Sequence, residues 1–423
     1  MKSRILLPFM MCVAFGVAAQ QRPTAPITTH SAEKAVRARD LGIPFEGAPG
    51  PLNAITDVKG VEVGMTTLIS GNGPLVVGKG PVRTGVTVIF PRGKTSKDSV
   101  MAGTAVLNGN GEMTGTAWVN ESGFMNGAMA ITNTHSVGVV RDTIIAWQGK
   151  TGYIPQAELF SNDLWFALPV VAETADVLLN DMNGFHVKPE DVFAAMNSAS
   201  SGPVPEGNVG GGTGMICFGW KGGTGTASRK LSDADGGYTV GVLVQANFGR
   251  ARNLTIAGVP VGQEMTPPPL LVPKPPGSGS IIVVVATDAP LLPMQLKRLA
   301  KRTILGVGRI GGLGENSSGD LMLAFSTANP GAASAKKTAT VQMVPNEEIN
   351  PLFAATEQAT EEAIVNALIA ARTMTGANGI TVEAIPHEQL QQVLKNYNRL
   401  AEPQPQAVPA PVSPEPKSSP QKK

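Results

Sequence analysis

Cysteine is almost absent from this sequence: Cys12 and Cys217 are the only two among 423 residues. Histidine is nearly as scarce, with four residues so scattered that no two lie four positions apart, as metal ligands on one helix face do. These absences exclude a framework of disulfides and leave no recognisable set of metal ligands. We therefore predict that an apolar core stabilises the fold, and that the protein needs neither a metal ion nor another cofactor.

An excess of charge of one sign is also missing, because 34 lysine and arginine residues nearly balance 32 aspartate and glutamate residues. The whole chain therefore has no electrostatic field that would attract nucleic acid or anionic lipid. Two glycine runs, 210–214 and 222–225, lack the Gly-Lys-Ser/Thr ending of a phosphate-binding loop and the spacing of a dinucleotide fingerprint. We expect no nucleic acid partner, and interpret these glycines as sites of close backbone packing or a substrate channel.

No apolar run reaches the length of a membrane-spanning helix. Near the start, Lys2 and Arg4 precede an apolar stretch that ends in small residues, as in a secretory signal peptide. We predict that residues 1–20 are removed, that the protein is exported to the periplasm or secreted, and that it has no membrane attachment after signal removal. At the other end, residues 399–423 are rich in proline, glutamine, serine and lysine, which predicts a disordered tail.

Glycine and proline are abundant, with 49 and 34 residues, so many turns divide the rest of the chain into short elements. Valine-rich segments between small residues predict strands, whereas apolar residues at helical spacing predict helices. The predicted strands are 61–64, 86–90, 128–132, 168–174, 238–248, 281–285, 320–326 and 341–344, and the predicted helices are 189–196, 293–304 and 350–374. Their irregular alternation favours layers of helix around a mixed sheet core.

The junction at Ser280 is the most informative stretch. Residues 266–279 contain six prolines and end in Gly-Ser-Gly, so they belong to a surface loop, while Ile281 to Val285 are all β-branched and predict a buried strand. Ser280 can simply begin that strand. It can also be a nucleophile, because cleavage before it would free an α-amine that acts as the base for its own hydroxyl.

Other routes to a reactive serine have little support in the sequence. No Gly-x-Ser-x-Gly motif is followed by a suitable histidine, and the Ser-x-x-Lys matches lack their companion motifs. A freed α-amine has an ordinary pKa of about 7.7–8.0, so it can accept the serine proton near neutral pH without a histidine. At this point the N-terminal nucleophile and the ordinary loop serine both remain open.

Six segments together carry a family resemblance. They are Gly111-Glu112-Met113-Thr114-Gly115, Glu121-Ser122-Gly123, Thr132 to Gly138, Pro169 to Thr174, Gly222 to Arg229, and Gly279-Ser280 followed by Ile281 to Leu291. From about Arg37 to Ile385 the sequence resembles the L-aminopeptidase/D-esterase and β-peptidyl aminopeptidase family of self-processing N-terminal-serine hydrolases. Several segments in the expected order are far more specific than any single motif, and they favour the cleaved junction.

The resemblance implies a fold, a maturation step and a reaction. The fold would be α/β (α+β), a four-layer α-β-β-α sandwich similar to that of N-terminal-nucleophile hydrolases but differently connected. Residues 21–398 would form a single catalytic domain, cleaved between Gly279 and Ser280 into an α chain, 21–279, and a β chain, 280–423. Ser280 would form an acyl-enzyme with a small peptide, aminoacyl amide or ester. A homo-oligomer, a tetramer of αβ units, is also implied.

Four further residues acquire roles from the resemblance. Asn247 would donate a hydrogen bond to the oxyanion, Ser318 and Asp320 would orient the serine and its amine, and Glu173 would pair with the substrate ammonium group. The sequence departs from the family at Ala175, where some members have a tyrosine that assists the oxyanion. The choice among L-, D- and β-aminoacyl substrates therefore stays open, and the alternative is a non-catalytic or acyl-transferring homologue that keeps the fold.

Overall fold

Two β-sheets lie face to face in the computed structural model, which describes residues 36–155, 159–161, 164–272, 277–334 and 336–401. Their central strands are rich in valine and isoleucine, and both faces of these strands are buried. A strand buried on both faces needs a cover on each side. Each sheet therefore packs against the other sheet on its inner face and against helices on its outer face.

The strands and helices alternate irregularly along the chain. The strands are β1 (Glu62–Ser70), β2 (Val82–Phe90), β3 (Val100–Gly109), β4 (Phe124–Met125), β5 (Met129–Asn133), β6 (Leu159–Ser161), β7 (Leu164–Trp165), β8 (Val170–Thr174), β9 (Ile216–Cys217), β10 (Trp220–Lys221), β11 (Gly223–Lys230), β12 (Thr239–Asn247), β13 (Ser278–Thr287), β14 (Ser317–Ser326), β15 (Met374–Thr375) and β16 (Thr381–Val382). The helices are α1 (Thr116–Ser122), α2 (Val137–Thr151), α3 (Pro189–Ser198), α4 (Val261–Glu264), α5 (Pro293–Arg309), α6 (Asn350–Ile369) and α7 (His387–Asn396).

One sheet has four strands in the order β1-β2-β5-β8, and the other has six in the order β11-β12-β13-β14-β3-β4. Most neighbouring strands are antiparallel, but β5 runs parallel to β8 and β13 runs parallel to β14. Parallel neighbours require a crossover connection. The crossover from β13 to β14 is made by α5, and α2 lies between β5 and β8 in the chain.

Three apolar layers hold the sheets and helices together. The inner layer lies between the two sheets and includes Ile131, Leu243 and Val284. Helices α2 and α3 cover the four-stranded sheet through side chains such as Trp147, and α5 and α6 cover the six-stranded sheet through side chains such as Leu299. The predicted α/β fold, a four-layer α-β-β-α sandwich, is thus confirmed.

β13 is the central strand that carries Ser280. Its side chains alternate between two apolar layers: one lies between the two sheets, and the other lies between this sheet and its helices. Because both faces are buried, the apolar run in the sequence is continuous. The strand begins at Ser278, earlier than the predicted start at Ile281. The cause is pairing with β14, where Gly279 is in register with Ser318. Ser280 therefore lies inside the sheet and not at the tip of a loop.

Most of the other predicted elements are confirmed, but two predictions are wrong. Residues 341–344 form no strand. The Val344 N–H donates to the carbonyl of Pro290 at 2.9 Å, and the Val344 carbonyl accepts from Nε2 of Gln295 at 2.8 Å. The last long helix, α6, ends at Ile369 and not near residue 374. It stops because Met374 and Thr375 pair with β16.

Some predicted features fall outside the described residues: the signal peptide at 1–20, the tail from 402 onward, and residues 273–276 of the proline-rich segment. At the predicted start of the tail, the Ala401 N–H donates to the carbonyl of Gly42 at 2.9 Å. The helices that the structure describes include none with the length and apolar character needed to cross a membrane.

Candidate active site

Ser280 lies near the start of β13, in the middle of the six-stranded sheet, and is only 4% exposed. It is paired with Asn247, the last residue of β12, and with Gly319 on β14. Directly opposite residues in an antiparallel pair point to the same face of a sheet. Accordingly, Nδ2 of Asn247 donates to Oγ of Ser280 at 3.4 Å.

The orientation of the Asn247 side-chain amide is fixed by backbone groups at both ends. The Ile216 N–H donates to Oδ1 at 2.9 Å, and Nδ2 donates to the carbonyl of Ala175 at 2.9 Å. Because a backbone N–H already occupies Oδ1, the nitrogen of this amide must face Ser280. The structure thus places a hydrogen-bond donor beside the serine hydroxyl, as the oxyanion role predicted for Asn247 requires.

Ser318 and Asp320 flank Gly319, the β14 residue in register with Ser280. Oγ of Ser318 donates to Oδ1 of Asp320 at 2.6 Å, and the Ile281 N–H also hydrogen-bonds to this carboxyl group. Burial raises the pKa of Asp320, while the hydrogen bond from Ser318 works in the opposite direction. Both side chains therefore lie next to the backbone segment whose nitrogen would become an amine after cleavage at Ser280.

Glu173 occupies the end of β8, on the four-stranded sheet, and is 3% exposed. Its carboxylate accepts hydrogen bonds from the Glu112 N–H, at 3.0 Å, and from the hydroxyl of Thr134. Burial raises the pKa of Glu173, and these two hydrogen bonds partly oppose that shift. The donors of both hydrogen bonds are uncharged, which makes this buried carboxylate a suitable site for a substrate cation.

A loop at residues 108–112 connects the Glu173 side of the site to the Ser280 side. Nδ2 of Asn110 donates to the carbonyl of Ser317 at 2.9 Å, and the Asn110 N–H donates to the carbonyl of Ser318 at 3.3 Å. One residue later, a side chain at Gly111 would lie 3.1 Å from Oε1 of Glu173 and 3.2 Å from Cα of Gly319. Nothing in the local sequence of this segment indicates these distant partners.

Gly279 needs its missing side chain. A Cβ atom at this position would lie 3.0 Å from Cα of Phe248 and 3.2 Å from the carbonyl oxygen of Asn247. Glycine therefore lets the chain pass close to the end of β12 immediately before Ser280. The same lack of a side chain leaves the Gly279 carbonyl open to attack by the neighbouring hydroxyl.

Two buried ionisable residues near the site were not predicted from the sequence. Burial raises the pKa of Asp176 to about 7 and lowers the pKa of Lys221 to about 7. Asp176 directly follows Ala175, whose carbonyl holds the Asn247 amide. The position of Asp176 just after the end of β8 could have marked it as a residue of the site. Lys221 stands alone beside a glycine run, and nothing in the local sequence marks it.

A search of the described segments finds no group of three or more His, Cys, Asp or Glu side chains that could hold a metal ion. The structure brings Ser280, Asn247, Ser318 and Asp320 together on one sheet. Ala175 joins them through its hydrogen bond to Asn247, and Glu173 lies two residues earlier on the facing sheet. All of the side chains proposed from the resemblance therefore lie in one region, next to the start of β13 and the ends of β8 and β12.

The chain is similar to known peptidases. The sequence matches peptidase family S58 over residues 53–382. It is 55% identical over 378 residues to beta-peptidyl aminopeptidase BapA of Sphingosinicella microcystinivorans, covering 86% of this chain and 93% of that protein. The fold matches a beta-aminopeptidase from Burkholderia sp. with a TM-score of 0.77 and 47% identity, over 85% of this chain and 99% of that one.

A second solved structure adds information on the fold. The L-aminopeptidase D-Ala-esterase/amidase from Ochrobactrum anthropi matches with a TM-score of 0.78 and 48% identity, over 86% of this chain and 99% of that one. That enzyme is described as a prototype for the serine aminopeptidases and as a new variant of the Ntn-hydrolase fold. The sandwich described above is similar to that variant.

Proposed function

The chain belongs to peptidase family S58 and is a serine-type aminopeptidase, and from this premise we propose that Ser280 becomes its nucleophile by self-cleavage after Gly279. The observation that carries the proposal is the 3.4 Å contact between Nδ2 of Asn247 and Oγ of Ser280. It puts a fixed donor beside a buried serine that no histidine accompanies in the described contacts. The buried carboxylate of Glu173 supplies a place for the substrate amine.

Maturation would begin when the Ser280 hydroxyl attacks the carbonyl carbon of Gly279. The Oγ proton passes to the departing amide nitrogen, so an ester replaces the peptide bond and the α-amine of Ser280 is freed. Water then hydrolyses the ester, which leaves a carboxylate on Gly279 and restores the serine hydroxyl. Asn247 favours the first step because its Nδ2 can donate to the oxyanion that develops on the carbonyl.

In the mature protein, the freed amine of Ser280 would accept the proton from its own Oγ as that oxygen attacks the acyl carbon of the substrate. Asn247 would stabilise the oxyanion, and Asp320 would hold the amine in position. The proton then passes to the leaving amine as the acyl-enzyme forms, and water releases the acyl group. Glu173 would bind the ammonium group of the substrate, which restricts the reaction to free amino termini.

We further propose that the substrates carry a β-amino acid at the amino terminus. Two observations support this class: the relative that is 55% identical is named a beta-peptidyl aminopeptidase, and the Burkholderia neighbour is a beta-aminopeptidase. Ala175, whose carbonyl accepts a hydrogen bond from Asn247, has only a methyl side chain where some family members have a tyrosine, and the smaller side chain favours the longer backbone of a β-amino acid. Amides of L-amino acids and esters of D-alanine are the competing class, because the Ochrobactrum neighbour is named for them.

Denaturing electrophoresis with N-terminal sequencing tests the self-cleavage. We expect two fragments, of which the smaller begins at Ser280. The Ser280→Ala variant should stay a single chain and should not hydrolyse β-alanyl p-nitroanilide, whereas Ser278→Ala, a matched serine in the same strand, should be cleaved and active. A wild-type chain that hydrolyses the substrate while intact, or an active Ser280→Ala variant, would contradict the proposal.

A panel of aminoacyl p-nitroanilides tests the substrate class separately. We expect kcat/KM to be higher for β-aminoacyl compounds than for the L-α-aminoacyl compounds of the same side chain, with D-alanine esters as a third group. A clear preference for α-aminoacyl compounds would reject the β-aminoacyl proposal without affecting the role of Ser280. Two alternatives concern the reaction itself. Adding an amine acceptor and analysing the products shows whether the acyl group is transferred or hydrolysed. Membership of a family of peptidases argues against the alternative of a non-catalytic homologue.

We also propose export directed by residues 1–20, because they have the pattern of a signal peptide, and assembly of αβ units into a tetramer, as the family resemblance implies. Cell fractionation followed by N-terminal sequencing of the purified protein tests export, since a first residue close to 21 is expected in the periplasmic or secreted fraction. Light scattering on the cleaved protein tests the assembly. A cytoplasmic protein that retains residues 1–20, or a single αβ unit in solution, would contradict the respective proposal.

A further inference from the structure

A short hairpin formed by β9 and β10 borders the Asn247 side chain. The Ile216 N–H on β9 donates to Oδ1 of Asn247 at 2.9 Å, and the Phe218 N–H donates to the carbonyl of Phe248 at 2.8 Å. The hairpin thus contacts both the asparagine and the residue after it. Its position decides whether Asn247 presents its nitrogen or its oxygen to Ser280.

Lys221 closes this hairpin from the inside. The side chain is fully buried, and Nζ donates to the carbonyls of Met215 and Gly222, each at 2.8 Å. These carbonyls stand at the two ends of the hairpin, where the Gly222 N–H also donates to the Met215 carbonyl at 2.9 Å. The Lys221 side chain therefore spans the base of the hairpin. The Ile216 amide that holds Asn247 belongs to the same hairpin.

Burying a lysine is costly in free energy, so a hairpin that needed only packing would be better served by an apolar side chain. Burial lowers the pKa of Lys221 to about 7, against the electrostatic influence of the buried Cys217 and Asp176. Whichever its protonation state, Nζ carries enough N–H donors for both carbonyl acceptors. The contacts thus describe a specific clamp on the backbone of the hairpin.

We propose that Lys221 is a positioning residue, which fixes the hairpin so that the Asn247 amide offers Nδ2, and not Oδ1, to the oxyanion. The inference rests on the proposed function, because it concerns the same oxyanion. An oxyanion donor must be held within a narrow distance, and an acceptor in its place would repel the developing charge. Lys221 touches neither Ser280 nor the substrate, so its effect would pass entirely through Met215, Ile216 and Asn247.

The Lys221→Met variant tests this inference, because methionine keeps the volume but loses both donated hydrogen bonds. We expect kcat to fall by about 10- to 100-fold while KM stays within about twofold of wild type. Asn247→Ala provides the benchmark, with an expected loss of about 100- to 1000-fold in kcat. Trp220→Phe is the matched control, since it alters a buried side chain of the same hairpin without touching the clamp, and it should retain wild-type kcat.

An aldehyde analogue of the aminoacyl group supplies a readout that a purely structural role would not change. Its adduct with the serine carries an oxyanion, so its affinity for Lys221→Met should weaken by the same factor as kcat, while the affinity for the free amino acid product is unchanged. Kinetic constants are referred to cleaved molecules, and melting temperatures confirm folding. If Lys221→Met folds but stays uncleaved while Trp220→Phe is cleaved, that result supports the inference, because self-cleavage after Gly279 needs the same oxyanion donor.

A folded Lys221→Met variant with kcat within about twofold of wild type would overturn the inference, as would equal losses of aldehyde and product affinity. If Lys221→Met does not fold, Lys221→Gln, which keeps an N–H donor, replaces it under the same criteria. The two levels of proposal fail differently. An active Ser280→Ala variant rejects the proposed function, whereas an inactive Ser280→Ala beside a fully active Lys221→Met rejects only the role of Lys221.

Discussion

At the scale of single residues, the proposed function assigns to Glu173 the selectivity for a charged amino terminus. Replacing it by glutamine keeps the shape but removes the negative charge. Because a hydrogen bond to a charged group contributes about 1.5–3 kcal/mol, we expect Glu173→Gln to raise KM by about 10- to 100-fold, with a smaller change in kcat. Steady-state kinetics on a β-aminoacyl p-nitroanilide checks this, and an unchanged KM would contradict the assigned contact.

The same residue predicts a pH dependence. Burial raises the pKa of Glu173, so its carboxylate takes up a proton at a higher pH than an exposed glutamate would. Below that pKa the neutral carboxyl cannot pair with the substrate ammonium, so kcat/KM should fall on the acid side. The Ser280 amine must also be unprotonated to act as the base, so it adds its own acid limb near the ordinary α-amine pKa of about 7.7–8.0. Glu173→Gln should therefore lose only the part of the acid limb that Glu173 causes. If both proteins show the same acid limb, another group causes it.

Asp176 contributes to stability in a direction opposite to that of most carboxylates. Its pKa is raised by burial to about 7, whereas an aspartate in an unfolded chain has a pKa of about 3.9. Between these values the folded state keeps a proton that the unfolded state releases, so stability falls as pH rises from about 4 to about 7. Asp176→Asn, which is neutral at every pH, should remove this loss.

Urea unfolding at two pH values measures the effect. At about pH 8, Asp176→Asn should be more stable than wild type by up to a few kcal/mol, since each unit of pKa shift corresponds to about 1.4 kcal/mol. At about pH 4 the difference should nearly vanish, because Asp176 is then protonated in the folded state and about half protonated in the unfolded state. Asp142→Asn, on an exposed side chain, serves as the control with little change at either pH. A variant that is less stable at both pH values would refute the argument.

At the scale of elements, the contact between α6 and β11 depends on Gly225. A Cβ atom there would lie 2.0 Å from the carbonyl oxygen of Ala363 and 2.7 Å from the nitrogen of Ala367, both in the backbone of α6. Gly225→Ala must therefore push the helix from the sheet, and we expect a loss of about 1–3 kcal/mol in the free energy of unfolding.

Gly138→Ala is the matched control, because it makes the same change at a position of α2 where a Cβ atom would meet nothing within 4 Å. Alanine is the better helix former, so this variant should gain about 0.5–1 kcal/mol. Denaturant unfolding of both variants measures the two changes. Equal stability of Gly225→Ala and wild type would show that the helix and sheet separate more easily than their spacing indicates.

Local sequence patterns predict correctly the elements that have the same apolar surroundings along their whole length. The β-branched run at Ile281 to Val285 indicates a strand buried on both faces, and β13 is such a strand. The start of β13 depends on pairing with β14, and α6 ends before the residues that pair with β16, so pattern alone places both boundaries several residues away. The predicted strand at 341–344 fails for the same reason, since the described residues provide no neighbouring strand to pair with it.

The site shows the same division. Ser280, Asn247, Ser318 and Asp320 could be assigned because they stand in motifs that resemble a known family. The loop at 108–112 and Lys221 could not, because their function lies in hydrogen bonds to backbone groups brought near only by the fold. A lone buried lysine beside a glycine run carries no local signal of what it holds.

At the scale of the whole molecule, the proposed cut would not separate the parts of the chain that precede and follow it. β13 lies between β12, which precedes the cut, and β14, which follows it. α6, from the later part, packs against β11, from the earlier part. The six-stranded sheet and the helix layer that covers it therefore include elements from both sides of the cut, and the two chains should remain one folded unit.

A buried group of charges also joins the two parts. Glu362, on α6, pairs with Arg229 and Arg39 from the earlier part, each at 2.8 Å, and accepts a hydrogen bond from Asn53 at 2.5 Å. Although burial opposes ionisation, the two arginines hold the pKa of Glu362 below its usual value. Its contribution to stability is thus present at neutral pH and is lost only as the pH falls through that depressed pKa.

Replacing Glu362 by glutamine would leave two buried arginines without their carboxylate. Removing one partner of a buried pair costs about 3–5 kcal/mol, so we expect the cleaved Glu362→Gln protein to unfold and release its two chains at a clearly lower urea concentration than wild type. Glu357→Gln, on the exposed side of the same helix and paired with Arg309 at 3.2 Å, should cost no more than about 1 kcal/mol. Size-exclusion chromatography across a urea series follows chain release directly. If both variants release their chains at the same concentration, the buried charges do not hold the cleaved molecule together, and the shared sheet alone must do so.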